Sequence, residues 1–317
     1  MSLNFVTTEM TFLRYFIPMI IEGNKRGLSS RMLIKHTDKY SNPHKYESQL
    51  NDFAKQFDFS IHSIKEDFDG TYVLLEGSGL KFLPSGKPKI TLTSFCDTVP
   101  LYEKYIDGMD HVIMVSEFFA HYYKKHSPKN LYLGSPKYDV HLVGMEVEEK
   151  YNLPVGPRAL VLFPKARDLS KIDMRKIYSF LRRMGFSVIV KARGKDPATL
   201  KGDRYFEDFS WYPHDSMELM TLCDIVINFD STAIKECVML DVPMINFHIK
   251  PYDRLEFLYN YGYVKQLKPT VSFDGFSESI KSLMGQYLGD EFERARVNHL
   301  FEKGKNVSAS ILDEIGL

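Results

Sequence analysis

The stretch Leu222–Phe247, LCDIVINFDSTAIKECVMLDVPMINF, constrains this chain more than any other. It reads as a buried strand (Ile225 to Asn228), a short polar loop, a helix (Thr232 to Leu240) and a second strand opened by Pro243. A strand, helix and strand in such close succession belong to an α/β protein with a mostly parallel sheet.

The rest of the chain repeats the pattern. Leu3 to Thr7, Arg31 to His36, Phe59 to Ile64, Tyr72 to Leu75, Ile90 to Thr93, His111 to Val115 and Leu131 to Leu133 read as short strands. Helical stretches lie between several of them, from Thr11 to Lys25 (with Pro18 inside), Ser41 to Gln56 and Ser116 to His126. After the turn-rich Asn152–Pro157 the alternation starts again, with strands at Arg158 to Phe163 and Phe186 to Lys191 and a helix at Lys171 to Met184. The C-terminus, Phe273 to Leu288 and Glu291 to Ile315, is mostly helical. With 317 residues, two α/β domains are expected. We place them at 1–148 and 149–317, the last helices crossing back to the first.

Lys+Arg and Asp+Glu both number 41, which argues against nucleic acid as the main partner. The three cysteines, Cys96, Cys223 and Cys237, imply neither a disulfide framework nor zinc, and the ten histidines form no metal-ligand pair. Neither a metal nor another cofactor is expected. No signal-peptide pattern opens the chain, and Arg14 and Pro18 interrupt its one apolar N-terminal stretch, so a cytoplasmic protein is expected.

The chemistry gathers on loops that follow strands. Asp230-Ser231-Thr232 opens a helix whose free N–H groups suit an anion, and Glu236 lies one turn further on. The same residues also read as a plain helix cap with a solvated acid. Lys165 and Arg167 follow the strand at Arg158, and Arg193 and Lys195 follow the strand at Phe186. Parallel strands bring such loops to one sheet edge, where these cations suit a diphosphate or stand solvated. Trp211, Tyr212, Pro213 and His214 precede a short helix and could line a base pocket or pack as structural aromatics. Asp97, in Ser94-Phe-Cys-Asp-Thr98, is the first choice for a general base, with His36 second; a helix cap is the plain alternative for Asp97. Arg31, Lys35 and His36, with Lys39, His44 and Lys45, form a basic edge that suits an anionic acceptor, a membrane surface or solvent.

The run D-S-T-A-I-K-E-C-V-M-L-D-V-P resembles the S-S/T-x-x-x-E-A-x-x-x-G-x-P signature of GT-B glycosyltransferases. Similar surface-carbohydrate enzymes are the CDP-glycerol glycerophosphotransferase, lipid A disaccharide synthase and UDP-N-acetylglucosamine 2-epimerase groups. Cys237 stands where Ala is usual and Asp241 where Gly is usual. Pro164-Lys-Ala-Arg-Asp168 resembles the element that opens the donor domain in the glycerophosphotransferase group. Gly134-Ser-Pro-Lys-Tyr-Asp139 resembles a G-x-P/R-x-x-D element near the end of the first domain. The resemblance implies an α/β GT-B architecture, two Rossmann-like domains facing a central cleft, working without a bound metal ion. It implies Ser231, Thr232, Lys165, Arg167 and Arg193 at a donor diphosphate, Glu236 at a donor hydroxyl, and Ser135 and His248 in the cleft. The partners implied are a nucleotide-sugar or CDP-polyol donor and a carbohydrate or lipid-linked acceptor, at the inner face of a membrane or free of it. Three functions stay open: a glycosyl- or polyol-phosphate transferase, a hydrolysing sugar-nucleotide 2-epimerase, and a nucleotide-sugar-binding protein without catalysis. The epimerase group usually carries D-S-G-G-x-Q-E-E where this chain has D-S-T-A-I-K-E-C, which ranks it below the transferase.

Overall fold

The structure of the protein, a computed structural model, describes residues 1–35, 41–94, 96–139, 148–192, 197–207, 210–250, 258, 263–291, 294–295, 298, 300 and 306–317. It divides into two units, Met1–Val143 with His299–Leu317, and Gly144–Asn298.

The first unit is a parallel seven-stranded sheet. Its strands are β1 (Ser2–Thr7), β2 (Ser29–Ile34), β3 (Ser60–Ser63), β4 (Thr71–Leu75), β5 (Lys89–Leu92), β6 (His111–Met114) and β7 (Asn130–Tyr132), in the order β3-β2-β1-β4-β5-β6-β7. Every residue of β1 is buried, as expected of a central strand covered on both faces. Helices α1 (Leu13–Lys25), α2 (Glu47–Phe57) and α3 (Glu117–Tyr122) connect the strands. In α1, Leu13, Phe16, Ile17 and Ile20 recur at helical spacing and are fully buried. Pro18 sits within α1 without ending it.

The final helix of the chain, α9 (Val307–Glu314), belongs to this unit. Asp139 holds its start: the Val307 and Ser308 amides each donate to the carboxylate at 2.8 Å, and the Ser308 hydroxyl donates at 2.5 Å. Burial pushes the Asp139 carboxyl up, against these bonds that favour its charged form. At the other end of α9, Arg26 donates to Asp313 and to the Leu317 carbonyl, both at 2.7 Å.

The second unit is a parallel six-stranded sheet of β8 (Arg158–Leu162), β9 (Ser187–Lys191), β10 (Arg204–Phe206), β11 (Ile225–Asn228), β12 (Met244–Phe247) and β13 (Val264–Leu267). Their order is β10-β9-β8-β11-β12-β13. Counted from its own first strand this is 3-2-1-4-5-6, the doubly wound Rossmann order. Its helices include α4 (Glu148–Tyr151), α5 (Met174–Arg183), α6 (Asp215–Thr221), α7 (Ile234–Leu240) and α8 (Phe273–Gly289). Asp173 caps α5, accepting from the Lys176 amide at 3.1 Å, and Met174, Ile177, Tyr178 and Leu181 form its buried stripe. Behind β11 and β12, Phe229 stacks on Phe247 and Phe247 on Phe276, with ring centroids 5.5 and 6.1 Å apart.

The structure adds two strands that the sequence reading leaves out, β10 and β13. Both lie at sheet edges. Their sequences, RYF and VKQL, carry charged residues facing out, which hides the apolar signal of a strand while blunting an exposed edge. Ser116 stands at the N-cap of α3 but its hydroxyl makes no capping bond; it is buried and has no partner among the described residues. Among the described residues, no helix is long and apolar enough to cross a membrane.

Candidate functional site

All strands of the second sheet run parallel, so the loops after β8, β9, β11 and β12 emerge at one edge. The order reverses between β8 and β11, and the crevice outside the carboxyl ends of two such strands is where open α/β sheets take ligands. The Lys165–Arg167 segment and the Asp230–Thr232 loop leave the sheet there.

Asp230 organises that edge. It is only 4% exposed and adopts a left-handed φ of 46°, which Asp tolerates better than most residues. Asn246 donates to its Oδ1 at 2.8 Å, and the Ile249 and Lys250 amides donate to its Oδ2 at 2.7 and 2.8 Å. The Lys250 ammonium donates to the Asp230 carbonyl, and His248 Nδ1 lies 3.5 Å from Oδ1. Burial by itself would raise this carboxyl. The bonds from Asn246, Ile249 and Lys250, with the His248 charge, outweigh it and hold the group below the usual carboxylate range. Asp230 therefore caps no helix; it ties the loop after β12 to the end of β11.

Two asparagines complete the brace. Asn228 and Asn246 are register partners, each inside the tripeptide Ile-Asn-Phe. Asn228 donates to Asn246 Oδ1 at 2.8 Å and to the Ser231 carbonyl at 3.1 Å, which sets the path of the Ser231 loop. The sequence reading passed over both, although the repeated I-N-F was a usable signal: a polar side chain in a strand of buried residues needs a partner.

Ser231 and Thr232 come forward from this brace, half-buried and exposed respectively. The helix after them starts later than expected, at Ile234, because Thr232 and Ala233 form a turn; the Ser231 hydroxyl accepts from the Ala233 amide at 3.4 Å. Glu236 lies inside α7 and is 7% exposed. Asp241 closes α7 in the left-handed conformation, φ 55° and ψ 41°, the geometry a glycine supplies in the resembling signature. The helix end is therefore as tight as with glycine, at some backbone cost.

Lys165 precedes the short 3-10 helix Ala166–Lys171 and is half-buried, and the Arg167 side chain is 72% exposed with its Nε 3.8 Å from Asp168. Lys171 bridges the loops, donating to buried Asp168 at 3.2 Å and to the Ile249 carbonyl at 3.5 Å. At the end of β9, the Lys191 ammonium is buried and paired with Asp215 at 2.6 Å, so it is consumed inside the fold. Asp215 also accepts from the Ser216 amide at 2.9 Å. Trp211 and Tyr212 are buried at 2% and 8% exposure, while Pro213 and His214 are half-buried before α6. His248 is partly exposed beside Asp230. Arg193, Lys195 and His36 lie outside the described residues. Of Asp97 only the backbone is described, within the 3-10 helix Cys96–Lys104 after β5.

In the first unit, Ser135 and Lys137 are both buried, Lys137 with its ammonium over the rings of Tyr15 and Tyr138. Of the expected basic edge, His36 and Lys39 lie outside the described residues, and Lys35 and His44 line one pocket. Arg31 turns to Asn4 at 3.3 Å and to the Phe68 ring, while Lys35 lies beyond the carboxyl end of β2. No group of three or more His, Cys, Asp or Glu side chains gathers as a metal site among the described residues.

No protein-family model matches the chain, and no curated protein matches it in sequence. Solved structures match along nearly its whole length. The UDP-GlcNAc 2-epimerase from Neisseria meningitidis bound to UDP-GlcNAc superposes with a TM-score of 0.66 at 12% identity, covering 99% of both chains. The wall teichoic acid polymerase TagF with CDPG gives a TM-score of 0.66 at 14% identity, over 100% of this chain and 88% of that one. The glycotransferase of kitacinnamycin gives 0.62 at 11% identity, over 100% and 99%. The chain has the GT-B fold, which the sequence reading expected.

Proposed function

We propose that this protein is a transferase that moves a sugar or a polyol-phosphate from a nucleotide-activated donor to a carbohydrate or lipid-linked acceptor in surface-polysaccharide or glycolipid assembly. One observation carries the reading. At the switch point of the second sheet, the loops after β8, β11 and β12 are tied together through Asp230, Asn246 and Lys171, and Lys165, Arg167, Ser231, Thr232 and His248 stand on those loops. A rigid edge with cations and hydroxyls suits a diphosphate, whose charge grows as it leaves. Glu236 is assigned to a donor hydroxyl. Pro213 and His214 remain the more accessible part of the proposed base pocket, with Trp211 and Tyr212 packed behind.

In sugar transfer, an acceptor hydroxyl oxygen bonds to the anomeric carbon while the bond from that carbon to the diphosphate oxygen breaks. The acceptor proton passes to a base, Asp97 or His36 in this reading, and the nucleoside diphosphate departs against Lys165 and Arg167. In polyol-phosphate transfer the attacked atom is phosphorus and the nucleoside monophosphate departs. The TagF structure carries CDPG and the Neisseria structure UDP-GlcNAc, which supports a nucleotide-linked donor. A lipid-linked acceptor would bring the protein to the inner face of a membrane.

The equal TM-score to the 2-epimerase keeps that reaction as the second reading. One experiment separates them. UDP-, CDP-, GDP- and CMP-linked compounds are screened by thermal shift, and release of free nucleotide is followed with and without candidate acceptors. Release that requires an acceptor supports the transferase. Release without one supports the epimerase, and binding with no release in either case leaves a binding protein.

A further inference from the structure

The first sheet also has a switch point, between β1 and β4, and a pocket of about 460 Å³ opens beyond the carboxyl ends of those strands. Thr8 follows β1 and Gly77-Ser78-Gly79 follow β4 on its wall, with the Thr8 and Ser78 hydroxyls bonded to each other at 2.8 Å. Three lysines from separate elements meet around it: Lys35 after β2, Lys81 in the 3-10 helix Leu80–Phe82, and Lys104 at the end of the 3-10 helix Cys96–Lys104. No carboxylate is among its described lining residues. Three acids adjoin lining residues in sequence and each has a partner elsewhere: Glu9 accepts from the Ser41 hydroxyl, Glu76 from the Ser94 hydroxyl and Glu103 from the Lys125 ammonium.

The pocket is shaped before any ligand arrives. Gly77 and Gly79 have φ of 63° and 91°, and a Cβ on them would lie 2.3 Å from Tyr105 Cβ and 2.6 Å from Val6 Cγ1. Only glycine lets the loop pass so close to β1 and Tyr105. The Phe82 ring sits 3.8 Å from the Lys35 ammonium and 5.1 Å from that of Lys81, so one ring meets both charges. Like charges around one pocket with a hydroxyl donor and no acid call for an anion carrying more than one charge.

We infer that this pocket binds a phosphate group, contacted by Lys35, Lys81 and Lys104 and by the Thr8–Ser78 hydroxyl pair, whose mutual bond leaves it one proton to donate. That the phosphate belongs to the acceptor, making the acceptor a phosphorylated polyol or sugar, rests on the transferase reading; the binding itself does not. A phosphate fits better than a carboxylate because three ammonium groups bring more positive charge than a single negative charge offsets, and a phosphate offers more acceptor oxygens.

The test uses the full chain with its lysines dimethylated with ¹³C, which keeps their charge, and follows their methyl resonances on adding inorganic phosphate or glycerol 3-phosphate. Resonances are assigned from Lys35→Gln, Lys81→Gln and Lys104→Gln. The expected result is that these three shift with both probes, glycerol 3-phosphate binding at least as well, and that each single substitution weakens binding by about three- to tenfold. Lys87→Gln, which removes a surface cation paired with Asp69 in the same unit, should leave it unchanged. Binding that is equal in the triple variant, or absent up to high millimolar concentrations, overturns the inference. So does an outcome in which only vesicles of phosphatidylglycerol bind through these lysines, since the site is then a membrane-facing surface. UDP and CDP titrated into the same samples separate the two readings. Loss of nucleotide binding with phosphate binding intact fails the transferase reading alone, and the reverse fails only the pocket.

Discussion

Asp230 and Asn246, sixteen residues apart, bond to each other in both directions: Asn246 Nδ2 donates to Asp230 Oδ1 at 2.8 Å, and the Asp230 amide donates to Asn246 Oδ1 at 2.9 Å. The two side chains close the ends of adjacent strands and leave the acid charged in a buried place. Ser231, Thr232 and His248, assigned to donor binding, stand on the loops after β11 and β12 that this pair positions, so the pair links the stability of the second unit to its chemistry.

Asp230→Ala should therefore destabilise the second unit by about 2–4 kcal/mol, because it strands the Ile249 and Lys250 amides and the Asn246 side chain. The chain has a single tryptophan, Trp211, buried in that unit, and its fluorescence in a urea titration reports the loss.

The same group gives an acid limb. Its folded carboxyl lies below the unfolded value of about 3.9, so the unfolded chain binds more protons in the window between them. Its contribution is complete above the unfolded value and is lost as pH falls through the folded one. The stability gap between the parent and Asp230→Ala should be wide at neutral pH and narrow at the acid end of that window. Urea midpoints across the pH series check it.

Asp139→Ala should release α9 without unfolding the sheet it rests on. Hydrogen exchange should show amides of Val307–Glu314 losing protection while β1 and β4 keep theirs.

Lys191 and Asp215 form a buried ion pair, and removing one partner leaves the other charge uncompensated. Lys191→Met and Asp215→Leu should each cost about 3–5 kcal/mol, and the double substitution much less than their sum. Urea unfolding of all four proteins completes the cycle.

Asp241→Gly, which restores the residue usual at this helix end, should stabilise the second unit by about 0.5–1 kcal/mol, since Asp241 holds a φ of 55° that glycine adopts freely. The shift in the Trp211 unfolding midpoint measures it.

The sheet cores were legible because their strands are buried on both faces and read as apolar runs, as β8, β9 and β11 do. The edge strands β10 and β13 were not, since RYF and VKQL trade apolar signal for protective charge. At the candidate site, the loop Asp230–Thr232 was located by its place between a strand and a helix. The work of Asp230 was not legible, because its partners Asn246, Ile249 and Lys250 lie well beyond the helix it precedes. Asp139 escaped for the same reason, its partners Val307 and Ser308 lying 168 and 169 residues away. Local spacing suggests caps, whereas buried acids often hold segments remote in sequence. Lys35 was noticed as part of a basic edge, but only the fold brings Lys81 and Lys104 to it.

The central claim is that the switch-point edge of the second sheet holds the diphosphate of a nucleotide-linked donor. Isothermal titration of UDP, CDP and GDP into the parent, and into Arg167→Gln, Thr232→Val and Glu236→Gln, tests it most directly. The account predicts saturable binding of one of the three to the parent, weakened about five- to twentyfold by each substitution. No binding by any of the three at millimolar concentration, or binding that all three variants retain unchanged, would contradict it.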